Sequence, residues 1–268
     1  MSDKYAVIGN PIAHSKSPQI HQAFAKQTNQ DISYEAVLAP LDGFAATIQD
    51  LINKGFKGAN VTVPFKFEAY KICDSLNARA ISSGSGAVNT LININGKIHG
   101  DNTDGVGLKT DIEQNLGFSI ISKNVLILGA GGAAYGVLNS LIGAKSITIA
   151  NRSPEKALEI VMRASDHNTR AMTFETLVTP YDLIINATSA GLSDATLPLA
   201  DIVFSESCLA YDMMYSRETP FMAQARANGA QVADGLGMLV EQAAEAFYLW
   251  RGMRPETAPV IAMLRSAN

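Results

Sequence analysis

The segment Asn60-Val61-Thr62-Val63-Pro64-Phe65-Lys66 combines an alternating polar and apolar pattern with a lysine at its end. In a strand, Asn60 and Thr62 would share one face, and the two valines would lie on the other face, in the core. Pro64 ends the strand, so Lys66 follows just past its C-terminal end. Ligand crevices of parallel sheets lie outside that end. The pattern therefore predicts a polar ligand site beside Lys66.

An acidic residue near Lys66 would complete a pair of groups that can handle a proton. The segment His99–Gly105, HGDNTDG, supplies Asp104 at the start of a predicted helix, Thr103–Leu116. An ammonium group stabilises negative charge that develops on a carbonyl oxygen and can then release its proton, while a carboxylate orients it. The structural alternatives are a surface lysine and an aspartate that caps the helix and offsets its dipole.

A glycine-rich turn follows the predicted strand Val125–Leu128. Its sequence, Gly129-Ala130-Gly131-Gly132-Ala133-Ala134, fits G-x-G-x-x-[G/A] and opens a predicted helix. In this motif the first glycine permits a tight turn, the second lets the backbone approach a pyrophosphate, and the last small residue lets helix and strand pack closely. Free N–H groups at the helix N-terminus favour phosphate. Strand, turn and helix together predict a dinucleotide site rather than a turn that only reverses the chain.

The end of the next predicted strand, Ile147–Ala150, favours NADP over NAD. Proteins that bind NAD usually carry an Asp or Glu there, which binds the ribose 2′-hydroxyl. This chain has Asn151-Arg152-Ser153 instead, with Lys156 one turn later. Arg152 can form a fork on a 2′-phosphate, and Ser153 and Lys156 can add a hydroxyl and a charge. The structural alternative is that Ser153 caps the following helix and that the cations form a solvated face.

Short β-branched runs alternate with helix-length segments, which predicts an α/β fold of parallel sheets with helical crossovers. The predicted strands are Tyr5–Ile8, Ser33–Leu38, Ala59–Val63, Val88–Ile92, Val125–Leu128, Ile147–Ala150, Leu183–Asn186 and Leu209–Asp212. The predicted helices between them are Pro18–Gln30, Leu41–Asn53, Ala133–Ile142, Pro154–Ala164 and Pro220–Asn228. Ser17 is expected to cap the first of these helices.

Two predicted helices at the end of the chain, Leu236–Trp250 and Glu256–Ser266, have no strand after them. We expect them to pack back onto the first block. That arrangement predicts two domains: a discontinuous substrate-binding and catalytic domain of residues 1–101 and 236–268, and an inserted Rossmann-type NADP-binding domain of residues 102–235. Ligand would lie between the two domains, because domain interfaces commonly hold such sites.

The composition describes a chain that folds, and it excludes several classes of partner. Of 268 residues, 47% are hydrophobic and 17% are charged, and the net charge is −4. These values exclude a disordered chain and argue against nucleic acid or an anionic membrane as a partner. Cys73 and Cys208 form no disulfide framework, and none of the four histidines has metal-ligand spacing. With neither a signal pattern nor a long apolar run, the sequence predicts a cytoplasmic protein without a metal.

Several motifs, in the order in which they occur, resemble the shikimate dehydrogenase family. They are Ser15-Lys16-Ser17-Pro18, Asn60–Lys66, Gly86-Ala87-Val88-Asn89-Thr90, Asn102-Thr103-Asp104-Gly105, Gly129–Ala134, Asn151–Ser153, Asn186-Ala187-Thr188-Ser189-Ala190-Gly191, Asp212-Met213-Met214-Tyr215 and Asp234–Gln242. The resemblance spans nearly the whole chain. It implies reversible, NADPH-dependent reduction of 3-dehydroshikimate to shikimate, a step of aromatic amino-acid biosynthesis, by a monomer or homodimer.

The resemblance also implies roles for individual residues, with Lys66 and Asp104 as the catalytic pair. The implied substrate contacts are Ser15 and Ser17 at the carboxylate, with Asn60, Thr62, Asn89, Asp104, Tyr215 and Gln242 around the ring hydroxyls and the carboxylate. The implied cofactor contacts are Gly129, Ala130, Gly131, Gly132, Ala133, Asn151, Arg152, Ser153, Lys156 and Thr188, with Met213 and Gly235 at the nicotinamide. The family often has Thr at the position of Ser153. Some members have Arg where this chain has Lys156, and a lysine cannot form the bidentate fork of an arginine.

Two alternatives stay open at this point. One is a quinate/shikimate dehydrogenase that uses NAD, and the absence of an acidic residue at the end of the strand Ile147–Ala150 argues against it. A non-catalytic module that binds NADPH and shikimate is the other alternative. Such a module is expected to have lost Lys66 or Asp104, and this chain keeps both.

Overall fold

The computed structural model describes residues 2–82, 86–164, 168–188, 190 and 195–267. The chain divides into two compact units, one of residues 1–107 and 240–268 and the other of residues 108–239. The domain boundaries predicted from sequence lie at 101/102 and 235/236, whereas the units divide a few residues later, inside helices. Ser189 and Gly191, which belong to one of the sequence motifs, lie outside the described residues.

The first unit contains a six-stranded sheet in the order β2-β1-β3-β5-β6-β4. Its elements are β1 (Asp3–Gly9), α1 (Ser17–Thr28), β2 (Ile32–Leu38), α2 (Phe44–Asn53), β3 (Phe56–Val61), α3 (Lys66–Lys71), β4 (Ser75–Leu76), α4 (Ala78–Ser82), β5 (Thr90–Ile94), β6 (Lys97–Asp101) and the start of α5 (Asp104–Thr110). The end of α9 (Leu236–Arg251) and α10 (Ala258–Ser266) complete it. These two C-terminal helices were predicted, and α1 contacts α10 within the unit.

The prediction of a parallel sheet holds only in part for this unit. Strands β1, β2 and β3 are parallel, but β5 runs antiparallel to both β3 and β6. The cause is a two-residue hairpin between β5 and β6, at Asn95 and Gly96, whose φ angles are 53° and 84°. Positive φ at both central residues gives the turn a twist that matches the flanking strands, and Asn-Gly adopts it readily. The Asn-Gly dipeptide indicates a hairpin, but the prediction rested on the alternation of strands and helices and did not use it.

Strand β3 ends at Val61, so the predicted alternation of side chains stops before Val63. The N–H of Thr62 donates to the carbonyl of Ile8, and that of Phe65 donates to the carbonyl of Thr62, which closes a tight turn. Val63 is consequently 67% exposed, and its predicted place in the core is wrong. Phe65 is buried instead and packs in the core with Phe44.

The second unit contains a six-stranded, all-parallel sheet in the order β12-β11-β10-β7-β8-β9. Its strands and helices are β7 (Asn124–Leu128), α6 (Gly132–Leu138), β8 (Ser146–Ala150), α7 (Pro154–Arg163), β9 (Thr169–Met172), β10 (Tyr181–Asn186), β11 (Phe204–Asp212), α8 (Pro220–Ala227), β12 (Gln231–Asp234) and the start of α9. The strand order reverses between β7 and β10. This is the Rossmann arrangement, in which ligand binds at the carboxyl ends of the strands beside the reversal.

The central strand of the second unit explains why its sequence is continuously apolar. Val125, Leu126, Ile127 and Leu128 are all fully buried, two in the core on one side of the sheet and two in the core on the other. A parallel strand covered on both faces needs no polar side. Among the described residues, none of the helices combines the length and apolar character needed to cross a bilayer.

Candidate active site

Lys66 and Asp104 form an ion pair in the first unit. Lys66 is the first residue of α3 and Asp104 the first residue of α5, and the lysine Nζ lies 2.5 Å from the aspartate Oδ2. Their side chains are only 17% and 9% exposed, so water weakens their attraction little. An ammonium held by a carboxylate and still partly accessible to solvent can stabilise negative charge and transfer a proton.

Asn89 holds the carboxylate of the pair from its other side. Its Nδ2 donates to Oδ1 of Asp104 at 2.8 Å and to Oγ1 of Thr103 at 3.0 Å. Its Oδ1 accepts the N–H of Thr103 at 2.8 Å. Oγ1 of Thr103 also lies 3.5 Å from Oε1 of Gln242, which is nine-tenths buried in α9. Asn89, Asp104 and Gln242, predicted from separate motifs, therefore lie in one network.

Ser15 and Ser17 lie at the start of α1. Ser17 is the first residue of the helix, Lys16 is the cap residue, and no side chain caps the helix by a hydrogen bond. The expectation that Ser17 caps this helix is therefore wrong. Its hydroxyl instead contacts the phenol of Tyr34. Burial raises the pKa of Tyr34 well above its ordinary value, and the hydrogen bond with Ser17 offsets part of that increase. Oγ of Ser15 accepts the N–H of Ser17 at 3.3 Å, so the two serines are neighbours.

Asn60 and Thr62 end the strand β3 and begin the turn after it. Asn60 is buried, and its Oδ1 accepts the hydroxyl of Tyr34 at 2.7 Å. Its Nδ2 donates to Oγ1 of Thr90 at 3.3 Å. Thr62 is half-buried beside Gly9, where an added Cβ would meet the threonine methyl. Tyr34 and Thr90 join the site although sequence reasoning missed Tyr34 and named Thr90 only as part of a motif.

In the second unit, the glycine-rich turn has the conformation that a dinucleotide needs. Gly129 has a φ of 102°, and an added Cβ would meet Thr188 and the carbonyl of Ala187, so glycine is required there. Gly131 has a φ of −95°, and no atom of the described residues lies within 4 Å of the place where its Cβ would be. The protein therefore leaves open the space that a pyrophosphate would fill, and the residues fit a dinucleotide.

The carboxyl ends of β10 and β11 are joined beside this turn. Oδ1 of Asn186 accepts the N–H and the hydroxyl of Thr188 at 3.1 and 2.7 Å. Nδ2 of Asn186 donates to Oδ2 of Asp212 at 3.0 Å. Oδ1 of Asp212 accepts the N–H of Met214 at 2.9 Å. These bonds fix the backbone of both loops, which explains why polar residues occupy buried positions there.

At the tip of β8, the side chains suited to a 2′-phosphate point toward water. Arg152 and Lys156 are exposed. Ser153 occupies the cap position of α7, but its hydroxyl makes no capping hydrogen bond, so capping does not use it. Nδ2 of Asn151 donates to the carbonyl of Ser153 at 3.0 Å, which holds this turn.

Met213 and Gly235 are in contact at the ends of β11 and β12. A Cβ at Gly235 would overlap the carbonyl of Met213, and the N–H of Gly235 donates to the carbonyl of Met214 at 2.9 Å. Tyr215 follows on the same loop, half-buried, and burial raises its pKa. The three residues lie in the second unit, whereas Lys66 and Asp104 lie in the first.

Family comparisons cover most of the chain. The family model described as "Shikimate dehydrogenase substrate binding domain" matches residues 7–91, and "Shikimate / quinate 5-dehydrogenase" matches residues 111–205. A third, "Shikimate 5'-dehydrogenase C-terminal domain", matches residues 235–265.

Individual relatives agree with these matches. A shikimate dehydrogenase (NADP(+)) from Methylobacillus flagellatus is 58% identical over 99% of this chain and 100% of its own length. The crystal structure of an Ael1 enzyme from Pseudomonas putida superposes with a TM-score of 0.93 at 44% identity, covering 98% of both chains. Shikimate 5-dehydrogenase from Thermus thermophilus, in complex with NADP(H) and shikimate, has a TM-score of 0.89 at 32% identity, covering 99% of this chain and 100% of that one. The chain belongs to the shikimate dehydrogenase family.

Proposed function

We propose that this chain is an NADP-dependent shikimate dehydrogenase, which reduces 3-dehydroshikimate to shikimate reversibly with NADPH. The observation that carries the proposal is the ion pair of Lys66 and Asp104, held by Asn89 in a largely buried network. An unbroken catalytic pair is what an enzyme needs and a mere binding module does not. The relatives named above, which share this chain's full length, support the same reaction.

The proposed mechanism assigns proton transfer to Lys66. NADPH, when bound, supplies the hydride that adds to the carbonyl carbon. Negative charge then develops on the carbonyl oxygen, and the Lys66 ammonium stabilises it and donates the proton that completes the alcohol. Asp104 holds the ammonium in place through its Oδ2 and takes part in binding the substrate hydroxyl. In the reverse direction, Lys66 takes the proton from the hydroxyl.

Most of the proposed substrate contacts lie in the same unit as this pair. Ser15 and Ser17 would hold the carboxylate with their two neighbouring hydroxyls, because two donors can bind one carboxylate. The remaining contacts, at the ring hydroxyls and the carboxylate, would come from Asn60, Thr62, Asn89, Tyr215 and Gln242. All of these residues except Tyr215 lie in the first unit, residues 1–107 and 240–268, and we therefore assign this unit as the substrate-binding and catalytic domain.

The second unit, residues 108–239, is the proposed NADP-binding domain. Gly129–Ala133 would hold the pyrophosphate, at the open space beside Gly131. Asn151–Ser153 and Lys156 would bind the adenosine ribose and its 2′-phosphate, with Arg152 as the main cation. Thr188, Met213 and Gly235 would line the path to the nicotinamide. Because the reaction uses free NADPH and a small, anionic substrate, we assign it to the cytoplasm. We expect the protein to act as a monomer or a homodimer.

One assay separates this function from its alternatives. NADPH oxidation is followed with 3-dehydroshikimate, and the assay is repeated with NADH and with 3-dehydroquinate. We expect turnover with NADPH and 3-dehydroshikimate to exceed that of both other combinations. Preference for NADH, or equal use of dehydroquinate, would indicate a quinate/shikimate dehydrogenase instead. Binding of both ligands without turnover would indicate a non-catalytic module.

A further inference from the structure

A continuous chain of side-chain hydrogen bonds connects Tyr34 to the carboxylate of the proposed catalytic pair. The Tyr34 hydroxyl donates to Oδ1 of Asn60 at 2.7 Å, and Nδ2 of Asn60 donates to Oγ1 of Thr90 at 3.3 Å. That hydroxyl donates to Oδ1 of Asn89 at 2.9 Å, and Nδ2 of Asn89 donates to Oδ1 of Asp104 at 2.8 Å. All five residues are buried, and along the chain each residue donates a hydrogen bond to the next one.

Backbone groups and the phenol together set the direction of these bonds. Nδ2 of Asn60 also donates to the backbone carbonyl of Asn89 at 3.4 Å, which leaves Oδ1 of Asn60 to accept the hydroxyl of Tyr34. The amide nitrogen then faces Thr90, whose hydroxyl proton is left to point at the oxygen of Asn89. Oδ1 of Asn89 also accepts the backbone N–H of Thr103 at 2.8 Å, so the nitrogen of Asn89 faces Asp104. Bonds in such a low-dielectric chain polarise one another, so each link supports the next.

The ring of Tyr34 is packed against the ring of His21. It stacks on the ring of His21 with centroids 4.1 Å apart and planes 7° from parallel. His21 is fully buried, and burial lowers its pKa to about 3, so it is a neutral ring. Burial raises the pKa of Tyr34, so its hydroxyl keeps its proton and remains a donor. Ser17, at the proposed carboxylate contact, lies beside the same hydroxyl.

We propose that Tyr34 is a positioning residue for the reduction: through Asn60, Thr90 and Asn89 it holds the carboxylate that orients Lys66. The proposal rests on the proposed function for its kinetic consequence, but the hydrogen-bond chain itself can be tested without turnover. Tyr34 touches neither substrate nor cofactor in this proposal. Its effect is on the orientation of the catalytic pair.

The variant Tyr34→Phe tests the proposal, because it keeps the ring stacked on His21 and removes only the hydroxyl. Tyr5→Phe is a matched control: Tyr5 lies opposite Tyr34 on the neighbouring strand, is also buried and stacked, on Trp250, and its hydroxyl contacts Arg251 rather than the chain. We expect Tyr34→Phe to lower kcat for shikimate oxidation by up to about ten-fold, the order of magnitude that the loss of one buried hydrogen bond carries. Tyr5→Phe should leave kcat unchanged.

A double mutant distinguishes positioning from general destabilisation. In the Asp104→Asn background the chain no longer ends on a carboxylate, so adding Tyr34→Phe should cost much less than in the parent protein. An equal fold-loss in both backgrounds, or equal losses for Tyr34→Phe and Tyr5→Phe, would overturn the proposal. Melting curves of all variants confirm that folded proteins are compared.

A nuclear magnetic resonance measurement reports on the chain without any reaction. The side-chain amide resonances of Asn89 are compared in the full-length parent, Tyr34→Phe and Tyr5→Phe. A shift of the Asn89 amide in Tyr34→Phe alone supports transmission along the chain, and an unshifted Asn89 amide would overturn it. If the parent turned over no shikimate, the proposed function would fail, while this measurement would still decide whether Tyr34 positions Asn89.

Discussion

Nζ of Lys66 lies 2.5 Å from Oδ2 of Asp104, and the two residues each begin a helix of the first unit. They are 38 positions apart in the sequence, so the sheet between them sets their distance. The tight turn at Thr62 and Phe65 leads β3 into the helix that carries Lys66. Asn89 holds the other oxygen of Asp104 and leaves Oδ2 to the lysine. The pair is thus assembled by three separate chain segments.

Substitution of Lys66 by alanine tests the pair most directly. Its ammonium is proposed to act in the transition state, where charge develops on the oxygen, and such a contact affects kcat more than KM. We expect Lys66→Ala to lower kcat by about 100-fold or more. Asp104→Asn should also lose much of kcat, and the double mutant should be less impaired than the product of the two singles.

Lys71 provides the control, because it lies on the same helix and is exposed. Lys71→Ala should keep kcat and KM. Melting curves and NADPH binding show that each variant is folded. A folded Lys66→Ala protein that binds shikimate and keeps the parent's kcat would remove Lys66 from the chemistry.

Arg152 is predicted to determine cofactor choice. It is exposed at the tip of β8, where no acidic residue stands to bind a 2′-hydroxyl. Loss of a charge-assisted contact costs about 1.5–3 kcal/mol, so Arg152→Ala should raise KM for NADPH roughly ten-fold or more. KM for NADH should hardly change. Arg226→Ala, an exposed arginine of the same unit paired with Glu218, should affect neither cofactor. Equal losses with NADPH and NADH for Arg152→Ala would contradict this role.

The Rossmann unit was the more predictable half of the fold. The strands β7, β8 and β10 are short and mainly apolar, and β7 is buried on both faces, so pattern and burial agree. The strands β9 and β12 were missed because they are four residues long and mix polar residues with apolar ones. In the first unit, the Asn95-Gly96 hairpin made the sheet mixed, and only attention to that dipeptide predicts it.

The site could be predicted as residue types but not as a network. Lys66 stands out because it follows a strand with one polar face, and Asp104 because it begins a predicted helix, but Asn89 was implied only by the family resemblance. Tyr34 was not predicted, since an aromatic residue in an alternating strand normally marks the core. His21 is on the buried face of an amphipathic helix, and its place under Tyr34 depends on how α1 lies against β2. Contacts of this kind come from the tertiary arrangement, which local pattern does not contain.

Ser17 is expected to act in substrate binding rather than in helix capping. Lys16 occupies the cap position, and no side chain caps α1 by a hydrogen bond, so losing the Ser17 hydroxyl removes no cap. Ser17→Ala should therefore raise KM for shikimate roughly ten-fold, the cost of one hydrogen bond to a carboxylate. Because this buried hydroxyl also contacts the phenol of Tyr34, its loss should in addition lower stability by about 1 kcal/mol. Ser75→Ala, which removes an exposed hydroxyl bound to His99, is the control. A lower melting temperature with an unchanged KM would exclude Ser17 from the site.

The burial of His21 predicts how stability depends on pH. Burial lowers the pKa of His21 from 6.5 to about 3, so the folded protein leaves it neutral where the unfolded chain would protonate it. The unfolded state thus binds more protons between these values, and the free energy of unfolding falls as the pH drops from 6.5 toward 3, by roughly 1.4 kcal/mol per pH unit. Above pH 6.5 this contribution is fully present.

His21→Phe keeps a ring against Tyr34 and removes the titration. Urea unfolding at pH 7 and pH 5 should show a loss of stability in the parent that exceeds the loss in the variant by about 2 kcal/mol. Carboxylates titrate in both proteins, so the difference isolates the histidine. Equal losses in the two proteins would show that His21 does not stay neutral in the folded state.

Substitution of Gly131 by alanine is expected to affect cofactor binding but not folding. Its φ of −95° suits any residue, and within the part of the chain that the structure describes no atom lies within 4 Å of an added Cβ, so Gly131→Ala should leave the melting temperature unchanged. The same methyl would enter the space proposed for the pyrophosphate, and NADPH should bind roughly ten-fold or more weakly. Gly129 gives the contrast, because its φ of 102° strains any L-residue, and Gly129→Ala should lower the melting temperature as well. Calorimetric titration with NADPH and thermal melts measure both effects. Unchanged NADPH affinity in folded Gly131→Ala would mean that the pyrophosphate does not lie against this turn.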